Sequence, residues 1–162
     1  MSEKNELKEA TYGRSLAKGL LAGLIGGLVA TVAKTLVERI YPPRTHGEPE
    51  PPVVLAEKLA GHELVGTQRE AAVEGIHWGF GALTGAAYGA LAEYYPAATA
   101  KDGAGFGMAL SSMTHGTVLP AMGLSADPEE QTARERTSEF ATHVVFGVVT
   151  ETVRRVVRRM LG

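Results

Sequence analysis

Hydrophobic and charged residues alternate in blocks along the chain, and four of these blocks are apolar. They cover residues 19–33, 75–92, 103–126 and 140–150. A helix that crosses a lipid bilayer needs about 20 apolar residues. The first three blocks approach that length. The fourth reaches it when the polar ends of Glu139 and Arg154 extend to the membrane surface. The pattern therefore predicts four transmembrane helices.

This pattern predicts an all-α fold, a four-helix transmembrane bundle. We expect a cytoplasmic N-terminal tail at residues 1–14, a membrane domain at 15–153 and a basic cytoplasmic tail at 154–162. The predicted spans cover about residues 16–38, 73–95, 103–124 and 138–155. The first block is expected to be an uncleaved span rather than a signal peptide, because no clear cleavage site precedes Lys34.

Glycine is over-represented, with 20 in 162 positions. It recurs every fourth residue at Gly19, Gly23 and Gly27 and again at Gly81, Gly85 and Gly89. A soluble bundle of buried helices is the alternative fold, but each interior glycine costs a helix in water about 0.8–1 kcal/mol relative to alanine. In lipid, a glycine stripe lets two helix backbones pack closely. The stripes therefore favour a membrane protein and predict helix packing, including self-association into a homo-oligomer.

The basic residues near the ends of the predicted spans indicate an orientation. Nine lysines and arginines lie on the side of the two termini and six lie on the other side. Because basic residues accumulate on the cytoplasmic side, both termini are expected in the cytoplasm. The C-terminal arginines are expected to contact anionic lipid head groups. They are Arg154, Arg155, Arg158 and Arg159.

The second and fourth predicted spans resemble each other at an offset of 66 residues. The stretch "HWGFGALTG" at 77–85 aligns with "HVVFGVVTE" at 143–151, and His, Phe, Gly and Thr coincide. Two repeated helical hairpins in the same orientation would produce this similarity. Chance similarity between glycine-rich helices is the alternative.

Ionisable residues within the predicted spans collect towards one side of the membrane. The candidates are Lys34, Glu38, Glu74, His77, His115, Glu139 and His143. Such groups are costly in lipid and usually face protein or a water-filled cavity. Histidine titrates near pH 6.5, so a cluster on the outer side would gain charge when the exterior acidifies. We interpret the set as a proton-responsive site. The alternative is interhelical hydrogen bonding at the rim of the bundle.

Composition and motifs argue against several other functions. A net charge of −2 gives no electrostatic basis for binding nucleic acid, and the chain has no cysteine for thiol catalysis or metal ligation. The stretch "EGIH" is a single Glu-x-x-His, whereas a di-iron bundle needs two such motifs. We therefore expect no metal and no cofactor. Serines and threonines near His115 lack the surroundings of a catalytic nucleophile, so we expect no enzymatic activity.

The stretch "AKTLVERIYPPR" at residues 33–44 resembles the YagU-like bacterial inner-membrane proteins, a family with a domain of unknown function. The resemblance rests on Lys34, Glu38, Pro42, Pro43 and Arg44, at the end of a glycine-rich first span. It implies a small multi-pass protein of the bacterial inner membrane with an association with acid resistance. It implies no known reaction.

The expected function is a non-enzymatic role in acid and envelope stress tolerance, through the proton-responsive cluster and possible channel formation by a homo-oligomer in the lipid bilayer. The alternative is a structural subunit or assembly factor of a larger membrane complex. Co-purification with a stoichiometric partner would separate the two hypotheses.

Overall fold

The computed structural model describes residues 13–45 and 47–162. Residues 1–12 of the predicted N-terminal tail and His46 lie outside the described residues. The described part contains five helices and no strand, and the predicted all-α fold is confirmed. The helices are α1 Leu16–Ile40, α2 Pro51–Ala60, α3 Gly66–Tyr94, α4 Ala104–Met113 and α5 Ala133–Met160.

The ends of the helices have clear local causes. The Ser15 side chain accepts a hydrogen bond from the backbone N–H of Lys18 at the start of α1, and Thr132 does the same for Glu135 at the start of α5. Both are N-caps, which satisfy backbone donors that the first helical turn leaves free. Gly61 ends α2 in the left-handed conformation, with φ of 74°, which glycine adopts without steric cost.

Two connections are less regular. Pro96–Gly103 forms tight 3₁₀ turns between α3 and α4, broken by Lys101 and Asp102, which have positive φ. After α4 the chain continues through a π-helical turn, Thr114–Val118, and a last helical turn, Leu119–Ala121. Part of the third predicted span, residues 103–124, is thus a π-helical turn rather than a regular α-helix.

Helix α1 lies between α3 and α5 and is antiparallel to both. A Cβ added at Gly19 would lie 2.8 Å from the carbonyl oxygen of Gly89, near the end of α3. On another face of α1, a Cβ at Gly26 would lie 2.6 Å from the carbonyl oxygen of Thr150 in α5. Helix α4 packs against α5, and the backbone of Gly107 contacts that of His143. The pairs α1/α3 and α4/α5 are therefore two antiparallel hairpins that run in the same direction.

The two glycine stripes face each other inside the chain. Gly19, Gly23 and Gly27 of α1 contact the backbone at Gly89, Gly85 and Gly81 of α3. The contacts leave no room for a Cβ, so the two backbones touch directly. The expectation that these faces mediate self-association needs correction, because the partner of each stripe is a helix of the same chain.

Helix α1 has small residues inside and large residues outside. Its buried residues are Gly19, Ala22, Gly23, Gly26, Gly27, Ala30 and Thr31. Its exposed large residues are Leu16, Leu20, Leu21, Leu24, Val29, Val32, Leu36 and Ile40. Among the helices of residues 13–45 and 47–162, α1 is the one that is long and apolar enough to cross a membrane.

Both ends of the described chain lie at the same end of the bundle. Arg158 donates a hydrogen bond to the carbonyl oxygen of Gly13 at 2.6 Å, and Lys18 Nζ donates to the carbonyl oxygen of Gly162 at 2.5 Å. Helix α5 continues to Met160. The predicted basic tail at 154–162 is therefore mostly the last part of a packed helix.

Candidate functional site

A cavity of about 570 Å³ lies at the end of the bundle away from the termini. Its walls are the end of α1, the start of α2, the first half of α3, the π-helical turn and the start of α5. All seven ionisable residues singled out in the sequence line it, namely Lys34, Glu38, Glu74, His77, His115, Glu139 and His143. Residues from four separate segments therefore share one space.

Three of these side chains form the floor of the cavity. His115 Nε2 lies 3.1 Å from Glu139 Oε2, and the rings of His115 and His143 meet edge to face with centroids 5.0 Å apart. Glu139 and His143 have 3% and 5% of their side-chain surface exposed, and His115 has 13%. We call His115, Glu139 and His143 the floor cluster.

The floor cluster joins two elements. Glu139 and His143 are four residues apart on α5, a spacing that places both on one helix face. His115 lies in the π-helical turn, where the wider helix shifts side chains relative to an α-helix. Gln131 supports this turn, because its Nε2 donates to the carbonyl oxygen of Ala126 at 2.9 Å and lies 3.5 Å from that of His115.

Arg44 binds the floor cluster from the loop after α1. Its Nη1 donates to Glu139 Oε1 at 2.9 Å, and its Nη2 lies 3.2 Å from Glu135 Oε1. In the sequence, Arg44 stood out only as part of a family-like motif, and no pattern placed Glu135 at the site. The Pro-Pro-Arg sequence was the available signal, because the two prolines prevent the helix from continuing and restrict the backbone just before Arg44.

The loop that carries Arg44 is attached to the first turns of α5. Ser138 donates a hydrogen bond to the carbonyl oxygen of Tyr41 at 2.5 Å, and Arg134 donates to that of Pro42 at 3.1 Å. The Arg134 guanidinium also lies over the Tyr41 ring, 4.6 Å from its centre. These contacts fix the position of Arg44 relative to Glu139.

The rim of the cavity carries the other four predicted residues. Lys34 forms an ion pair with Glu38, one turn later on α1. His77 lies across from them on α3, on the cavity wall. Glu74 and His77 therefore share a face of α3 that lines the cavity, as predicted. The Glu74 carboxylate accepts a hydrogen bond from Trp78 Nε1 at 2.8 Å.

The C-terminal arginines have a different environment from the predicted one. Arg154 and Arg155 both bind Glu151, at 2.6 Å from Nε in each case, and Tyr88 donates a hydrogen bond to the same carboxylate at 2.8 Å. Arg158 forms an ion pair with Glu93 of α3. Protein carboxylates thus hold the guanidinium groups of these three arginines, and their contact with lipid head groups stays a prediction. Arg159 is exposed.

The proposed internal repeat has a structural counterpart. His77 of α3 and His143 of α5 occupy equivalent positions in the aligned stretches, and both line the same cavity. Gly81 and Gly147, also equivalent, each contact the preceding antiparallel helix, at Gly27 and Gly103 respectively. The two hairpins thus have matching glycines at tight backbone contacts, and Gly147 also contacts Gly107 within α4.

Comparison with known proteins identifies the family. A sequence family described as Protein of unknown function (DUF1440) matches residues 28–152. The chain belongs to this family. The DUF1440 region contains the whole lining of the cavity, from Thr31 to Phe146. No curated protein and no solved structure matches the chain.

Proposed function

We propose that this DUF1440 protein is a small multi-pass protein of the bacterial inner membrane with both termini in the cytoplasm. Its four spans would be α1, α3, α5 and the continuous helical path of residues 104–121, which comprises α4 and the two turns that follow it. The arrangement of α1 supports this proposal. Its large aliphatic side chains point outward and its small residues point inward, the reverse of a helix whose apolar face packs on a soluble core. An exposed apolar surface of this kind is stable in contact with lipid.

Exposed apolar residues continue on the neighbouring helices. Phe80, Leu83 and Leu91 of α3 and Phe140 and Val156 of α5 are each at least 45% exposed. The interior holds small residues and ion pairs together with a few large apolar side chains, among them Tyr88, Leu110 and Phe146. The resemblance of residues 33–44 to the YagU-like proteins supports the same location.

The role we propose is non-enzymatic and concerns tolerance of acid and envelope stress. The observation that carries it is the shared cavity, in which ionisable side chains of separate helices meet at one end of the bundle. Buried ionisable groups in a membrane helix are costly and usually serve a pathway or a switch. The cavity is on the side opposite the termini and therefore on the outer side in this orientation.

His77 is the group to which we assign the response to protons. It lies on the cavity rim, where Lys34 and Glu38 of α1, Glu50 before α2 and Glu74 of its own helix are the charged groups that surround it. Protonation of His77 would add a cation that competes with Lys34 for Glu38. The Lys34–Glu38 pair would then weaken at the end of α1 when the exterior acidifies.

A matched pair of histidine substitutions tests this role. In a strain that depends on the protein, His77→Gln is expected to lower survival of acid exposure at least about tenfold, while His62→Gln has no effect. His62 is exposed on the loop after α2, so it controls for loss of an imidazole. Both variants must reach the membrane at the wild-type level. Survival of the His77 variant equal to wild type would reject the role.

The alternative function, a structural subunit or assembly factor, has one specific observation in its favour. Leu59 and Val65 are 76% and 69% exposed, and both lie outside the predicted spans at the cavity end. Apolar side chains at such a position are suited to contact with another protein. Purification in mild detergent separates the functions, since a subunit should retain a stoichiometric partner that Leu59→Glu releases.

A further inference from the structure

We propose that the floor cluster, His115, Glu139 and His143, is a binding site for one divalent transition-metal ion of the zinc class. One ligand atom from each of the three residues lies within 4.8 Å of the others. Ligands about 2.0–2.2 Å from a tetrahedral Zn²⁺ are about 3.4 Å apart. Side-chain movements of about 1 Å would therefore close the site around an ion.

One oxygen of the Glu139 carboxylate, the buried Oε2, has no hydrogen-bond partner among the described residues, although the other, Oε1, is paired with Arg44. His115 Nε2 is 3.1 Å from Oε2 without the angles of a hydrogen bond. An unpaired buried carboxylate oxygen is costly. A metal ion between these atoms would satisfy it.

The His143 ring is held in one tautomer by its own helix, with Nδ1 also 3.9 Å from Glu139 Oε2, so a metal ion would be bound through Nε2 after a rotation of the ring. Its Nδ1 lies 2.7 Å from the carbonyl oxygen of Glu139. Because a carbonyl oxygen only accepts, Nδ1 must carry the proton, and the lone pair of a neutral ring is then on Nε2. Metal-binding histidines usually donate their second nitrogen to a carbonyl or carboxylate in this way, which fixes the tautomer and the orientation of the ring.

The charges around the floor cluster are compatible with a metal ion in addition to the Arg44 guanidinium. Arg44 contacts two carboxylates, those of Glu135 and Glu139, and Lys34 is paired with Glu38. Arg44 and Lys34 are therefore each balanced by at least one acidic side chain. The donor set of two imidazoles and one carboxylate suits Zn²⁺, Co²⁺ or Fe²⁺. Three protein ligands leave at least one coordination position open towards the cavity.

The site was not expected from the sequence. Glu139 and His143 form a Glu-x-x-x-His pair, which is not the Glu-x-x-His spacing of a di-iron bundle, and the third ligand is on the π-helical turn after α4. The metal site is also independent of the response assigned to His77, because none of its ligands is on α3.

Metal binding by the full-length protein in detergent tests the proposal. The protein, prepared without a histidine tag and stripped by a chelator, is titrated with Zn²⁺ against a competing indicator, and with Co²⁺ followed by visible absorption. We expect one ion per chain and Co²⁺ bands of a low-symmetry nitrogen and oxygen site. His143→Ala and Glu139→Gln should each weaken binding at least about 100-fold, because ligand loss should exceed the 10–100-fold effect of second-sphere changes.

Two control variants and one additional ligand variant complete the test. His62→Ala and His77→Ala should bind with wild-type affinity, since neither is in the floor cluster. His115→Ala provides a further ligand variant at a less buried position, in case Glu139→Gln does not fold. The metal site would be overturned by the absence of saturable binding to the wild-type protein, or by wild-type affinity in folded His115→Ala and His143→Ala. Neither result would change the acid-survival comparison for His77.

Discussion

Two glutamates of α5 are almost fully buried, and each depends on basic side chains from its surroundings. Glu139 lies at the cavity and contacts Arg44. Glu151 lies nearer the termini, with 0% exposure, and is bound by Arg154, Arg155 and Tyr88. A buried charge that loses its partner, or arginines that lose their carboxylate, are left without compensation.

Removal of the Glu151 carboxylate should therefore be strongly destabilising. We expect Glu151→Ala to lower the free energy of unfolding by about 3–5 kcal/mol, the typical cost of breaking a buried ion pair. Thermal unfolding in detergent, followed by circular dichroism, measures the change. Glu130→Ala, at an exposed position before α5, is the matched control and should change stability by less than about 0.5 kcal/mol. Equal unfolding temperatures for the two variants would contradict the assignment.

At the scale of elements, the α1/α3 interface depends on the absence of side chains. A Cβ added at Gly85 would lie 2.6 Å from Gly27 Cα and 2.8 Å from its nitrogen. These are backbone atoms, so they cannot move aside as the end of a flexible side chain can. One added methyl group must push the two helices apart.

Two glycines of α3 make a matched test of this interface. Gly85→Ala should lower the free energy of unfolding by about 1–3 kcal/mol, because overpacking forces the backbones to shift. Gly79→Ala should be neutral or stabilising, since a Cβ there meets nothing within 4 Å and alanine favours the helix. Thermal unfolding of both variants under the same conditions gives the comparison. A Gly85→Ala variant as stable as Gly79→Ala would show that the helices are not in direct contact.

At the scale of the whole molecule, the bundle has two chemically different ends. One end holds the described termini, the ion pairs of Glu151 and the Glu93–Arg158 pair. The other holds the cavity with its histidines. Four antiparallel helices bring both ends of the chain to the same side, so a membrane between the two ends would place the cavity on one side and the termini on the other.

This arrangement makes a prediction about topology. Reporter proteins fused to residue 1 and residue 162 should both report the cytoplasm, while a fusion in the loop after α2, at residue 62, should report the outside. The protein should stay with the membrane after alkaline carbonate extraction. Release of the protein by carbonate, or termini on opposite sides, would be incompatible with the four-span proposal.

Several features could be predicted from the sequence because they depend on order along the chain. Three of the apolar blocks lie within α1, α3 and α5, since a helix keeps the residues of a block together. The block at 103–126 covers α4 and the two turns that follow it. The side on which Lys34, His77 and Glu139 collect also follows from order, because successive helices reverse direction. Glycines at every fourth position fall on one face by helical periodicity.

Other features depend on which helices pack together and on how each is rotated about its axis. The pattern did not indicate that α1 would lie between α3 and α5, so the glycine stripes were assigned to contacts between copies. It could not pair Arg44 with Glu139, 95 residues away, or Arg158 with Glu93. The C-terminal arginines therefore resembled a lipid-binding tail.

The sequence by itself determined the helical class, the order of the helices and the end of the bundle at which the ionisable residues lie. Only the tertiary structure decided which of those residues touch. His115, in the π-helical turn, lies at one oxygen of Glu139, and Arg44, from the loop after α1, binds the other. Contacts of this kind depend on distances between distant segments, and a one-dimensional pattern of polar and apolar residues does not contain those distances.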